Sequence, residues 1–299
     1  MDRLPFALPG TFYRGNLHCH STLSDGARSP DEVMATYRDH GYDFVSLTEH
    51  FLEEYGFPIV DTRPFRRPGF TTILGAELHA PALANGERWH ILANGLPLDF
   101  AHPTAGERGP ALARRAREAG AFVSIAHPYW YNLSVEDAFS LDAAHAVEVW
   151  NTGCEVEVDR GDSFSMCDLL LERGIRLTAC ATDDAHFKVE DYRGGWVHVR
   201  AESLDPDALI AGLKAGHYYS STGPTIEMIQ RAGNGLEVRC SAARAIIIHG
   251  RGAQNERVID AGAGLRAATL PLTKFANSYC RVTIVDAAGR RAWSNPIWL

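Results

Sequence analysis

The sequence predicts an α/β fold followed by a small antiparallel β unit. Three observations lead there. Short apolar runs alternate with amphipathic stretches up to about residue 219, and the clearest amphipathic stretches end at glycines 41, 120, 174 and 216. After Ser220-Ser221-Thr222-Gly223-Pro224 the alternation shortens to strand-length segments without a convincing helix. The first pattern argues for a mostly parallel sheet, closed or open, and the last for an antiparallel one. The expected units are residues 1–220 and a β-sandwich-like unit at 221–299.

Residues 12–17 read as the first strand. Ser29 then caps a helix, with Pro30 at its first position and Glu32 completing a capping box. Residues 44–48 and 71–74 are the next strands, and 91–94 a fourth, paired with the third across the turn at Asn85-Gly86. Helices follow at 110–119, 163–173 and 206–215, and strands at 122–126, 146–150, 177–182 and 196–200. In the tail, strands are expected at 236–240, 245–249, 266–271, 279–285 and 292–298, with a hairpin turn at Asp286-Ala287-Ala288-Gly289.

Composition narrows the function classes. The 299 residues are 45% hydrophobic, enough to bury a full core. Net charge is -8 and no block of Lys and Arg stands out, which argues against a nucleic-acid surface. Six scattered cysteines (19, 154, 167, 180, 240, 280) contain no CxxC pair, so free thiols in a reducing compartment are expected. There is no basic-then-apolar leader pattern and no apolar run of about 18 residues. The expectation is a cytoplasmic protein acting on a small molecule, with no membrane or nucleic-acid partner.

The chemistry lies in the placement of His and acidic residues. His18 and His20 are one residue apart at a strand end, so both side chains share a face and can reach one ion. Asp25 follows on a loop. His50 follows the second strand, Glu77 the third, and His90 opens the fourth. His127 closes the 122–126 strand, and Asp184 and His186 follow the 177–182 strand. Strand C-termini are where active sites assemble in parallel sheets. Imidazole and carboxylate suit zinc, manganese or iron, and the absence of thiolates argues against a closed structural zinc site. An isolated His is usually a surface or core residue, and His40, His79, His102, His145, His198, His217 and His249 are read that way.

The segments His18-Cys19-His20-Ser21, Ser24-Asp25-Gly26, Thr48-Glu49-His50, Gly75-Ala76-Glu77, His90-Ile91-Leu92, Ala126-His127-Pro128 and Asp184-Ala185-His186 resemble, in order and context, the PHP (polymerase and histidinol phosphatase) superfamily. The resemblance covers roughly residues 11–220. It implies a distorted (β/α)7 barrel holding two or three divalent ions. His18, His20, Glu77 and Asp184 would hold one. Glu77 would bridge to a second, shared with His90 and His127, and Asp25, His50 and His186 would hold the third. Glu49 departs from the family's usual Asp before this His. Tail segments at 216–224, 281–283 and 292–296 resemble the branch that includes carbaryl hydrolases.

The reaction expected is hydrolysis by metal-activated water, with Glu77 and Asp184 central and no side-chain nucleophile, since no Gly-x-Ser-x-Gly elbow is present. A phosphoester is the leading substrate, with a carboxylic or carbamic ester, or a non-catalytic metal-binding module, as alternatives. Arg193, seven residues beyond His186, is the expected phosphate clamp. Tyr129, with Trp130 and Tyr131, is the expected aromatic wall.

Overall fold

The computed structural model describes residues 4–260, 262 and 264–299; the first three residues of the expected 1–220 unit lie outside it. The chain begins with β1 (Thr11–Asn16) and α1 (Pro30–Asp39). The capping box is present as expected: the Ser29 side chain accepts from the Glu32 amide, and the Glu32 carboxylate accepts from the Ser29 amide. Then come β2 (Phe44–Leu47), β3 (His50–Phe51), β4 (Thr71–Ala80), β5 (Trp89–Asn94), α2 (Gly109–Glu118), β6 (Phe122–Ile125), α3 (Val135–Ser140), β7 (Ala146–Asn151), α4 (Thr152–Val158), α5 (Phe164–Glu172), β8 (Thr178–Thr182), β9 (Trp196–Ala201), α6 (Pro206–Lys214) and β10 (Tyr218–Ser221). Short α3 and α4 carry no apolar period long enough to be legible in sequence.

The main sheet runs β9-β1-β2-β4-β5-β6-β7-β8. It is mostly parallel, as expected, with two strands reversed. β1, β2 and β4 run parallel, as do β6, β7 and β8. β5 is antiparallel to both its neighbours, and β9 to β1. The reversal at β5 follows from its short connection to β4, which leaves no room for a crossover. It brings the start of β5 to the same sheet edge as the end of β4, with His79 opposite His90. Helices cover the sheet through residues spaced three and four apart: Val33, Met34 and Tyr37 of α1, Leu112, Ala113 and Ala116 of α2, Leu209 and Leu213 of α6.

No backbone ladder joins β8 to β9 or β10 among the described residues. Side chains bridge that seam. Ser220 Oγ donates to Ala179 O at 2.8 Å and accepts from Ala181 N at 3.0 Å, and the Tyr218 hydroxyl donates to Thr178 Oγ1 at 2.7 Å.

The tail contains β11 (Ile226–Ala232), β12 (Gly235–Ala243), β13 (Ala245–Gly250), β14 (Asn255–Ile259), β15 (Leu265–Pro271), β16 (Tyr279–Val285), β17 (Arg291–Ser294) and β18 (Ile297–Trp298). β11, β12 and β15 form a three-stranded sheet, while β13, β14, β16 and β17 extend the main sheet because β17 pairs with β10. The two faces share one apolar core, Ile229, Leu236, Val238 and Leu270 against Ile246, Ile248, Val282 and Ile284. The tail therefore packs like a sandwich, and hydrogen bonding passes without a break through the expected boundary at 220. All six cysteines are buried and unpaired. No helix among the described residues is long and apolar enough to cross a membrane.

Asn295 joins the tail to the α/β unit. Its Oδ1 accepts from Ala179 N at 3.0 Å, and its Nδ2 donates to Gly216 O at 3.0 Å and Tyr218 O at 2.9 Å. Asn295→Ala strands three main-chain groups at once and should cost roughly 2–3 kcal/mol. Urea unfolding checks this: an unchanged midpoint would mean the tail is not coupled through this side chain.

Candidate metal centre

All nine residues expected to ligate metal meet at one edge of the main sheet. Two main-chain bonds strap the segment after β1 to the segment after β8: Asp184 N donates to His18 O and His20 N to Ala185 O, both at 2.9 Å. β3 pairs with β4 so that His50 lies opposite Glu77. Two of the nine residues sit at unusual backbone angles, His127 at φ 20° and Asp184 at φ 54°.

Glu77 is fully buried at the centre. Its Oε1 lies 2.7 Å from His90 Nδ1 and 3.1 Å from His127 Nε2. Its Oε2 lies 2.7 Å from His50 Nδ1 and 3.7 Å from Nε2 of both His18 and His20. Asp184 Oδ1 is 3.0 Å from each of those same two Nε2 atoms. Asp25 Oδ1 is 3.3 Å from Nε2 of His50 and of His186. Potential ligand atoms thus gather in overlapping groups: His18, His20 and Glu77; His18, His127 and Asp184; Glu77, His90 and His127; and Asp25, His50 and His186 with His20. Bonds of about 2.0–2.2 Å place neighbouring ligand atoms about 3.0–3.5 Å apart, close to these separations.

The orphaned atoms fit the same reading. His18 Nε2, Glu77 Oε2 and Asp25 Oδ1 are buried without a hydrogen-bond partner, although polar atoms lie nearby. They face shared points, not one another, and unsatisfied buried polar atoms call for an explanation that a cation supplies. Protons answer the same charge when no cation does. Against the opposing effect of burial, Glu77 and Asp25 push His50 up to about 10, and Asp25 and Asp184 push His186 up to about 9. Burial alone would raise Glu77, but the imidazoles of His50, His79 and His90 hold it well below the usual carboxylate range.

A supporting layer holds these side chains. Glu148 is fully buried and accepts from the His127 amide at 2.7 Å, from Asn151 Nδ2 at 3.0 Å and from the Thr182 hydroxyl, while its Oε1 lies 2.9 Å from His18 Nδ1. Asn151 Nδ2 also reaches Asp184 Oδ2 at 3.0 Å. Glu49 is buried beneath the loop, accepting from Ser21 and Ser24. Asp183 accepts from the amides of Arg193, Gly194 and Gly195, so it braces a loop and leaves ligation to Asp184.

Sequence reasoning missed three residues here. His79, read as packing, places Nε2 3.0 Å from His50 Nδ1 and 3.6 Å from Glu77 Oε2. Its spacing of two from Glu77 was the available signal. Glu148 was signalled by a lone acid inside the apolar strand 146–150. Arg88 lies on the β4–β5 connection, where nothing in the sequence marks it.

Neither Arg193 nor Tyr129, the two expected substrate contacts, lines the pocket over the cluster. The Arg193 guanidinium pairs with Glu190 at 3.1 Å and lies 4.7 Å above the Tyr192 ring. Tyr129 is exposed against Arg160, because the turn closed by Trp130 N to His127 O and Leu133 N to Pro128 O directs it outward. Trp130 lines the pocket instead, and Tyr131 packs buried on His90 and His127. The pocket over the cluster has a volume of about 340 Å³ and is also lined by Leu52, Tyr55, Arg88 and Lys188.

Glu77→Gln should lower bound metal by at least one equivalent in elemental analysis after supplementation, because both carboxylate oxygens are engaged. Glu148→Gln should weaken metal binding by roughly 10–100-fold without unfolding the chain, the usual effect of removing a ligand's outer partner. Chelator competition reads both, and unaltered affinity in the second variant would sever Glu148 from the centre.

Comparison with known proteins bears on the fold. No family model matches the chain, and no curated protein does. Among solved structures it is similar to a two-domain protein from Bacteroides vulgatus containing a predicted PHP-like metal-dependent phosphoesterase. Identity is 15%, the TM-score 0.55, and the match covers 100% of this chain and 99% of that one. A candidate metal-dependent phosphoesterase from Bifidobacterium adolescentis matches over 58% of this chain and 88% of its own, at 17% identity and TM-score 0.45. An amidohydrolase from Chromobacterium violaceum matches over 59% and 89%, at 15% identity and TM-score 0.45. The first likeness shows that this chain shares its fold, along the whole of its length, with that protein.

Proposed function

We propose that this protein is a metal-dependent hydrolase of the PHP type acting on a phosphoester. The observation that carries the proposal is the two-sided Glu77 carboxylate, with separate imidazole groups on Oε1 and Oε2. His18, His20, Glu77 and Asp184 would hold one ion, Glu77, His90 and His127 a second, and Asp25, His50 and His186 a third. Zinc, manganese or iron suits this donor set. Bound divalent ions would supply Lewis-acid polarisation of the scissile group and activation of water near neutral pH.

The chain's own residues do the positioning. Glu148 and Asn151 orient His18 and Asp184, so the ligands are set before substrate arrives. Arg88 lines the pocket without a carboxylate partner among the described residues, which leaves its guanidinium available to a substrate oxyanion. Lys188, paired to Asp25 at 3.2 Å, adds a second cation at the rim. A phosphoryl group offers several oxygens to such a site, whereas a neutral ester offers one carbonyl.

A second reading, hydrolysis of an aryl carboxylic or carbamic ester as in the carbaryl-hydrolase branch, is favoured by the apolar wall of Leu52, Tyr55 and Trp130. Nitrophenyl phosphates and naphthyl esters, assayed with manganese or zinc, separate the two. Phosphatase or phosphodiesterase turnover should dominate. Arg88→Ala should raise KM for a phosphoester about ten-fold with metal content unchanged. Ester turnover alone, with a full metal complement, reverses the assignment.

A further inference from the structure

We propose a second binding site, at the opposite end of β7 and β8 from the metal centre, for a small amphipathic anion: an aromatic or aliphatic body carrying a carboxylate, sulfonate or phosphate. A crevice of about 1010 Å³ opens there between the α/β unit and the tail. That is at the upper end of the range of about 300–1,000 Å³ found for ligand sites. His145 and Leu177, which line it, precede β7 and β8, whereas Asp184 follows β8. A strand of five or six residues separates the two sites by about 17–20 Å.

The crevice combines positive charge with an apolar floor. Arg117, Arg176 and Lys214 line it, and none of the three is in an ion pair among the described residues. Arg117 donates to Ala143 O at 3.1 Å and Lys214 to Gly120 O, so both cations are held in place by neutral carbonyls. The acidic side chain in the lining, Asp142, is already paired with Arg114 at 2.8 Å. Burial, then Arg117 and Lys214, hold His145 down to about 4, which reports the positive field at this end of β7. A chain of net charge -8 thus concentrates three unpaired cations around one cavity, where an anion relieves their mutual repulsion. Phe6, Ile175, Leu177 and Trp298 supply the apolar surface, and the Arg176 guanidinium lies 4.8 Å above the Trp298 ring. A purely ionic ligand would leave that surface wet, and a neutral one would leave the cations unanswered.

Fluorescence titration of the metal-loaded 299-residue protein with anilinonaphthalene sulfonate tests the site, with uncharged phenylnaphthylamine as the comparison probe. The sulfonate should bind saturably at one site per chain and at least about ten-fold more tightly than the amine. Arg117→Glu combined with Lys214→Glu should weaken it by a similar factor, while Arg257→Glu, outside the crevice, should not. Should the double reversal fail to fold, Arg117→Gln with Lys214→Gln is read the same way, with a smaller loss. Absence of saturable binding, equal affinity for the two probes, or binding indifferent to both double variants would overturn the proposal.

Discussion

A carboxylate with no access to water governs the edge of the main sheet where the candidate metal ligands meet. Burying a charge is costly unless opposite charge compensates it, and Glu77 is shut off from solvent with only imidazoles paired to it among the described residues. Its compensation comes from imidazoles on both sides, which can carry protons or share cations. The strands that end at this edge, apart from β7 with its supporting Glu148 and Asn151, accordingly contribute donor atoms that gather in shared groups, and the reversed β5 is needed to deliver His90 to Glu77 Oε1.

Such convergence has to be held against the repulsion and strain it creates. His127 and Asp184 occupy backbone conformations that cost about 1–3 kcal/mol each where the surroundings do not enforce them. Here they are enforced. The His127 amide is bonded to Glu148, and the Asp184 amide to His18 O. Asp191 accepts from the amides of His186 and Phe187, and Asp183 from that of Arg193 farther along the same loop. The supporting acids are thus part of the backbone design of the site, and their buried charge is distributed over main-chain dipoles.

The α/β unit is electrically asymmetric, and the tail sits against one end of it. Because β17 pairs with β10 and Asn295 bonds across the seam, the tail is seated beside the lower ends of β7 and β8. Acids and imidazoles crowd one end of these strands and arginine and lysine the other. The two ends therefore present opposite chemistry to solvent, separated by the rigid sheet.

Much of this was readable locally. The capping box at Ser29, the glycine stops and the nine donors at strand ends all follow from patterns of two, three or four residues. Those patterns depend on backbone geometry that is the same in any fold. Arg193 and Tyr129 show where such reasoning ends: chain distance from a candidate ligand carries no information about direction, and Arg193 is paired with Glu190 while Tyr129 stands exposed. His79 shows the converse, a residue whose period matched Glu77 but whose partner, His50, came from another strand. Which donors exist, and on which strand end, was decided by the order of amino acids. Which donor atoms share a point, which cation is left unpaired, and where the tail docks were decided by strand register and the β5 reversal. Those are set by the packing of distant segments, a cooperative balance that no short window contains.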